Sequence, residues 1–235
     1  IVIKENEKLL YVNYYALKSE YIQTLSNMYG TKIIIDNTQA FFDLPIKNID
    51  TIYSPRKFFG VSDGGYLYTN NLSDEELKKD ISESYAQLIG RIQSGASLCY
   101  DSYQKAEKKL MNVPIKIMSR LTNKILKSID YKDVIRRREQ NFYFLHNELG
   151  KYNKLNLSLE NIKAPFVYPF MSNSCTLRDE LINNKIYVSK YWNEVLQRNE
   201  ISGIEKMLVE NIIPLPIDQR YGIEDMIRII KVVKG

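Results

Sequence analysis

Leu9 to Tyr15 is an almost unbroken apolar run, Leu-Leu-Tyr-Val-Asn-Tyr-Tyr, and predicts a buried strand. From Lys18 to Tyr29 the period changes. Tyr21, Ile22, Leu25 and Met28 fall on one helix face, and Gly30 stands where that helix would stop. Lys32-Ile33-Ile34-Ile35-Asp36 is a second short apolar run, ending on a carboxylate. Strand, helix, glycine, strand is a βαβ unit, which implies a parallel sheet with a right-handed crossover. Further strands are expected at Asp50–Tyr53 and Gly65–Thr69.

Helices then take over. Ser73 suits the N-cap of a helix opening on Asp74-Glu75-Glu76. Ser82 to about Gly150 reads as helical, with Pro114 starting or kinking one helix. Val134 to Leu149 predicts a long amphipathic helix. After Gly150 the texture changes. Strands are expected at Phe166–Phe170, where Pro169 suggests an edge, at Ile186–Val188 and at Ile212–Ile217. Helices are expected at Thr176–Asn183, Gly203–Val209 and Ile223–Val233. The expected division is an α/β part over residues 1–125 and a smaller α+β domain over 126–235.

Composition narrows the function classes. Hydrophobic residues are 44% and charged residues 26%, as in ordinary globular proteins, and the length affords a core without disulfide or metal staples. Two cysteines, Cys99 and Cys175, exclude a disulfide-rich module and a multi-cysteine zinc site. They read as free thiols of a reducing compartment, with a single bridge left open. The net charge of +5 is spread among interleaved acids. Even Arg136-Arg137-Arg138 is followed by Glu139 and reads as a solvated helix face, so no nucleic-acid partner is expected. No apolar run approaches the ~20 residues of a membrane span, and no signal peptide is expected, so the expected location is the cytoplasm. His146 is the single histidine, which argues against a histidine-based metal site or triad. The chain opens on Ile1 rather than methionine, as would a fragment, a processed chain or the ordered part of a longer one.

Two side chains carry candidate chemistry. Asp36 falls at the carboxyl end of a central strand, where open α/β sheets bind ligands, although such an Asp equally caps the next turn. Lys57 lies between Pro55 and the pair Phe58-Phe59. Desolvation there would lower its pKa and expose a nucleophilic amine. The alternative is a lysine snorkelling over apolar neighbours. Gly64-Gly65 lets the backbone approach something closely.

The stretch Asp36-Asn37-Thr38-Gln39-Ala40, followed by Ser54-Pro55-Arg56-Lys57 and then Gly60 to Gly65, resembles the pyridoxal-phosphate (PLP) site of the DegT/StrS-type sugar aminotransferases, which are fold type I PLP enzymes. Arg138 with Asn141-Phe142, Ile186-Tyr187-Val188 and Leu215-Pro216-Ile217-Asp218 occur in the family's order, so the resemblance covers nearly the whole chain. It implies part of a PLP-transferase large domain, a mainly parallel sheet with helices, joined to a small C-terminal α+β domain. It implies transfer of an amino group from an amino acid to a nucleotide-linked keto sugar, in making amino sugars for cell-surface polysaccharide. Lys57 would be the catalytic residue, forming an imine with the cofactor aldehyde and then moving a proton as base and acid. Asp36 would face the ring nitrogen, Gln39 the ring, and Ser54 the phosphate. Asp63 takes the glutamate position of the family's Glu-Gly-Gly turn. The retained lysine argues for transamination, since a histidine replaces it in the dehydratase branch. The family site lies at a homodimer interface, so a partner chain would share it. Arg91 to Gly95 and the Tyr191-Trp192 pair are candidate substrate or interface contacts, with Trp192 equally suited to a domain core.

The departures carry information too. Ile52 stands where the family usually has a phosphate-contacting serine, with Thr51 and Ser54 nearby. The family's phosphate-binding helix start, ahead of the Asp-bearing strand, has no counterpart before Asp36. The chain is therefore expected to lack the family's N-terminal part. A second reading follows, a truncated non-catalytic homologue acting as a dimer or interaction partner.

Overall fold

The computed structural model describes all residues except 73–75, 82–84, 96 and 111–112. The cap expected at Ser73 lies outside the described residues. The chain forms two compact units. The first comprises Ile1–Asn13 and Tyr21–Asp130, the second Tyr14–Glu20 and Tyr131–Gly235.

The first unit is built on a four-stranded sheet in the order β1 (Leu9–Val12), β2 (Ile33–Asp36), β3 (Asp50–Tyr53), β4 (Tyr66–Tyr68). The first three strands are parallel, and β4 runs antiparallel to β3. Helix α1 (Ser19–Tyr29) makes the crossover from β1 to β2. Gly30, at φ +54°, takes the left-handed conformation that ends it. Ile22 and Leu25 of α1 bury Ile33, Ile35 and Ile49, and this is the unit's core. Two expectations change here. Strand β1 is not buried, since it is an edge strand whose Leu10 is 56% exposed. Tyr21 and Met28 lie outside the buried stripe of α1, which is Ile22, Leu25 and Ser26.

Helices α2 (Ala86–Ser94), α3 (Tyr100–Leu110) and α4 (Arg120–Lys127) follow. Pro114 neither starts nor kinks a helix. It lies in the irregular stretch before α4, whose N-cap is Ser119, with Oγ accepting the Thr122 N–H at 3.1 Å.

The second unit holds helix α5 (Tyr131–Leu149), strand β5 (Tyr168–Met171), helices α6 (Leu177–Asn183) and α7 (Gly203–Asn211), strand β6 (Ile212–Leu215) and helix α8 (Ile223–Lys234). β5 and β6 form a two-stranded antiparallel sheet with Pro169 opposite Pro214, each proline on an edge strand, where prolines are tolerated. Phe142, Leu145, Tyr168, Leu181, Leu215 and Met226 are fully buried at its centre. Ile186–Val188 is not a strand. Ile186 and Val188 are buried, but the Arg178 guanidinium donates to the carbonyls of Val188 and Ser189, at 3.4 and 2.7 Å, where a strand would offer them to a ladder.

The arginine run also corrects the sequence reading. Arg136 and Arg137 are exposed and pair with Asp133. Arg138 is 1% exposed. Its Nε donates to Gln219 Oε1 at 2.9 Å and its Nη1 to the carbonyls of Pro165 and Phe166 at 3.0 and 3.2 Å. Arg138 stands four residues after Val134 and four before Phe142, and so shares their buried face.

Cys99 and Cys175 are unpaired. Among the described residues no His, Cys, Asp and Glu side chains group as metal ligands, and no helix is long and apolar enough to cross a membrane.

Candidate active site

Parallel pairing of β2 with β3 brings the turns after both strands to one sheet edge. Asp36 ends β2. Its Oδ1 accepts the Thr38 N–H at 2.8 Å, a short Asx turn. Just beyond β3, Pro55-Arg56-Lys57 forms one turn of 3-10 helix, and Pro55 fixes φ at its start. Lys57 Nζ donates to Thr38 Oγ1 at 2.9 Å. Asp36, Thr38 and Lys57 therefore meet.

Four phenylalanines hold the two turns together. Phe41 and Phe42 follow the Asp36 turn, and Phe58 and Phe59 follow Lys57. The Phe41–Phe59 and Phe42–Phe58 ring centroids lie 5.2 and 5.7 Å apart, both edge to face. Phe58 and Phe59 are buried. The Lys57 side chain keeps solvent contact while the protein crowds its ammonium. That desolvation lowers its pKa, Asp36 pulls the value back up, and Arg56 and Glu107 contribute opposite smaller effects. Arg56 is ion-paired with Glu107 of α3.

Beneath this edge lies a polar network that sequence reasoning missed. Asn13 Nδ2 donates to Asn37 Oδ1 at 3.2 Å and to Asp43 Oδ2 at 2.8 Å. Asn37 Nδ2 donates to the Tyr53 hydroxyl at 3.3 Å, which donates to the Asp43 carbonyl at 2.9 Å. Burial pushes the Tyr53 pKa up to about 12, so the hydroxyl stays protonated as a donor. The available signal was positional: Asn13 and Asn37 each directly follow a parallel strand.

Gln39 is buried on the turn after Asp36. Ser54 precedes the Lys57 turn and makes no side-chain cap bond to it. The close approach expected at Gly64-Gly65 is to helix α4. A Cβ on Gly64 would lie 3.0 Å from Met118 Cε and 3.3 Å from Thr122 Cγ2. Residues 91–95 are exposed at the end of α2.

Tyr191 and Trp192 lie in the second unit, in an aromatic cluster. Trp192 packs edge-on against Tyr14 and Tyr15, with centroids 5.0 and 5.5 Å away. Tyr191 lies 6.2 Å from both Tyr15 and Phe166. Tyr15, Ala16 and Trp192 all have positive φ, an unusual density of left-handed backbone outside glycine.

No protein-family model matches the chain, and no curated protein matches it. Solved structures do. A DegT/DnrJ/EryC1/StrS aminotransferase from Brucella abortus matches 97% of this chain at 19% identity and a TM-score of 0.59, and the chain spans 64% of its length. A sugar aminotransferase from Streptococcus pneumoniae, solved in its PMP form, matches 99% at 14% identity and 0.64, with 70% of its length spanned. The Escherichia coli GDP-4-keto-6-deoxy-D-mannose-3-dehydratase, solved with bound hydrated PLP, matches 98% at 13% identity and 0.61, with 68% spanned. The resemblance read from the Asp36 and Lys57 segments thus agrees with the structure: over nearly its whole length the chain has the fold of the DegT/DnrJ/EryC1/StrS-type aminotransferases.

Proposed function

We propose that this chain carries the catalytic lysine of a PLP-dependent aminotransferase that aminates a nucleotide-linked keto sugar. The observation behind this reading is the meeting of the Lys57 amine with the Asp36 carboxylate at one sheet edge. The residues present fit the cofactor. An amine of lowered pKa, bonded to a hydroxyl rather than to a carboxylate, stands beside an acid at the end of a parallel strand. PLP, when bound, supplies an aldehyde that condenses with amines and a ring that withdraws electrons from the attached carbon.

The chain's own residues would do the rest. Lys57 would present its amine to the aldehyde and would hold or move a proton at the substrate carbon. Asp36 would keep the ring nitrogen protonated. Gln39 would border the ring. The Ser54 hydroxyl, free of a capping bond, would donate to the phosphate. An amino acid would serve as donor, and two copies would share the site in the cytoplasm. Support for a sugar substrate comes from the matched folds, which include an aminotransferase of pseudoaminic acid biosynthesis from Helicobacter pylori.

The test is to add PLP to the purified protein and record its absorbance. A visible band that borohydride removes, with the cofactor's mass then fixed on the peptide holding Lys57, is expected. Lys57→Ala should abolish both signals. Their absence from the unmutated protein would overturn the reading and leave the non-catalytic homologue in its place.

A further inference from the structure

Thr38 stands between Asp36 and Lys57 and bonds to both. Its N–H donates to Asp36 Oδ1 at 2.8 Å, and its Oγ1 accepts from Lys57 Nζ at 2.9 Å. Asp36 lies near enough to act on the amine electrostatically, yet among the described residues no ion pair joins the two side chains. The amine rests on the hydroxyl instead.

Both ends of that bond are fixed by backbone. Thr38 is central in the turn from Asn37 to Ala40, which the Ala40 N–H closes onto the Asn37 carbonyl at 2.9 Å. The Asn37 N–H anchors this turn to β3 by donating to the Ile52 carbonyl at 2.8 Å, and the Asn37 side chain sits in the buried network with Asn13 and Tyr53. The branched Cβ of threonine restricts χ1 further. On the other side, the Phe58 and Phe59 N–H groups both donate to the Pro55 carbonyl, at 3.0 and 2.9 Å, and close the turn that carries Lys57. Thr38 Oγ1 is thus held in place for the amine to reach.

The residue type matters for the chemistry. An ionised carboxylate only accepts, so it holds an ammonium and has nothing to offer a neutral amine's lone pair. A hydroxyl accepts from an ammonium and donates to the lone pair of a neutral amine. A lysine resting on a hydroxyl therefore gains or loses its proton without changing partner. A lysine drawn onto Asp36 would be held as the ammonium, which cannot attack a carbonyl. The other charges that act on the amine are Arg56, on its own turn, and Glu107 of α3, and these two are paired with each other.

We propose that Thr38 is the positioning residue for Lys57, a hydroxyl that holds the amine off the Asp36 carboxylate in either protonation state. The use made of that hold rests on the aminotransferase reading of Lys57, and the hold itself does not.

The test follows the acetylation rate of Lys57 against pH, read by peptide mass spectrometry, on the purified protein after hydroxylamine has released any aldehyde held on the amine. The midpoint of the profile reports the proton, and its plateau reports access. Thr38→Val keeps the shape of the side chain and removes the hydroxyl. Its midpoint should rise by about 0.2 to 0.7 of a pH unit, the worth of an exposed ion pair newly made with Asp36. Thr38→Ala repeats the deletion in case valine disturbs the turn. Thr38→Ser keeps the hydroxyl and should keep the parent midpoint. In an Asp36→Asn background the amide oxygen can still accept the Thr38 N–H but the charge is gone, so Thr38→Val should produce no rise there. A rise in both deletions that Thr38→Ser lacks, and that Asp36→Asn abolishes, supports the proposal. Unmoved midpoints in both deletions, an equal rise in Thr38→Ser, or a rise that survives Asp36→Asn overturns it. Failure of the aminotransferase reading shows elsewhere, as a missing PLP band, and leaves these midpoints unaltered.

Discussion

The Asp63 carboxylate grips the first turn of helix α4 at two points. Oδ1 accepts the Ser119 N–H and Oδ2 the Thr122 hydroxyl, each at 2.8 Å and each buried. A carboxylate at a helix N-terminus also meets the positive end of the helix dipole. Asp63→Ala leaves two buried donors without this acceptor, and the expected loss is about 2 kcal/mol of stability. Thr122→Val removes one of the two bonds and should cost about 1 kcal/mol. Urea denaturation measures both. An Asp63→Ala protein within about 0.5 kcal/mol of the parent would refute the clamp.

Gly64 allows the same contact. Its φ is +98°, and a Cβ there would press on Met118 and Thr122. Gly64→Ala should therefore cost about 1–3 kcal/mol, from backbone strain and crowding together. Gly60→Ala is the matched control, since nothing lies within 4 Å of its Cβ position. Equal unfolding midpoints for the two variants would dismiss the close packing.

Arg138 is a buried cation whose loss orphans acceptors from two loops. Burial lowers its pKa to about 10, which leaves it protonated at neutral pH, and the nearby Asp218 opposes that shift. Arg138→Met should destabilise the second unit by about 3–5 kcal/mol. Arg138→Lys should restore little, because a single ammonium cannot reach Gln219, Pro165 and Phe166 as the guanidinium fork does. A lysine variant as stable as the parent would show that charge alone matters there.

The strand ends carrying Asp36 and Lys57 were legible because their signals are local. An apolar run closing on a carboxylate and a proline-led turn need no tertiary context. Arg138 was readable in principle, since its spacing from Val134 and Phe142 marks the buried face, but a run of three arginines looks solvated. The Asn13–Asn37–Asp43–Tyr53 network left only a positional trace, an asparagine after each of two strands, because its members meet only once parallel strands align their ends. Ile186–Val188 failed for a related reason. Its apolar residues are buried as a strand's would be, yet Arg178 takes the carbonyls.

His146 gives a pH dependence of known sign. Partial burial lowers its pKa from the ordinary value of 6.5. The unfolded chain therefore binds a proton more readily than the folded one just below that value. The resulting stability is present above pH 6.5 and is lost as the pH falls through the lower, folded-state pKa. Thermal midpoints of the parent and of His146→Gln, followed from about pH 8 to pH 5, should diverge on the acid side, with the parent falling more steeply. Parallel curves would remove His146 from the account.

Lys57 allows a test of the site's electrostatics without any cofactor. Desolvation holds its pKa below the ordinary 10.5, so its neutral fraction at a given pH exceeds that of an open lysine. Acetic anhydride at neutral pH, read by peptide mass spectrometry, should modify Lys57 faster than exposed lysines such as Lys124, and its rate should level off at lower pH. The neighbouring charges then supply opposite signs. Asp36 raises the pKa, so Asp36→Asn should lower it further and speed the labelling. Arg56 lowers the pKa, so Arg56→Met should slow it. Loosening of the turn, by contrast, would speed labelling in both variants. Opposite responses separate the charge effect from that loosening. Two accelerations, or a slowing in Asp36→Asn, would mean that Asp36 does not act electrostatically on Lys57.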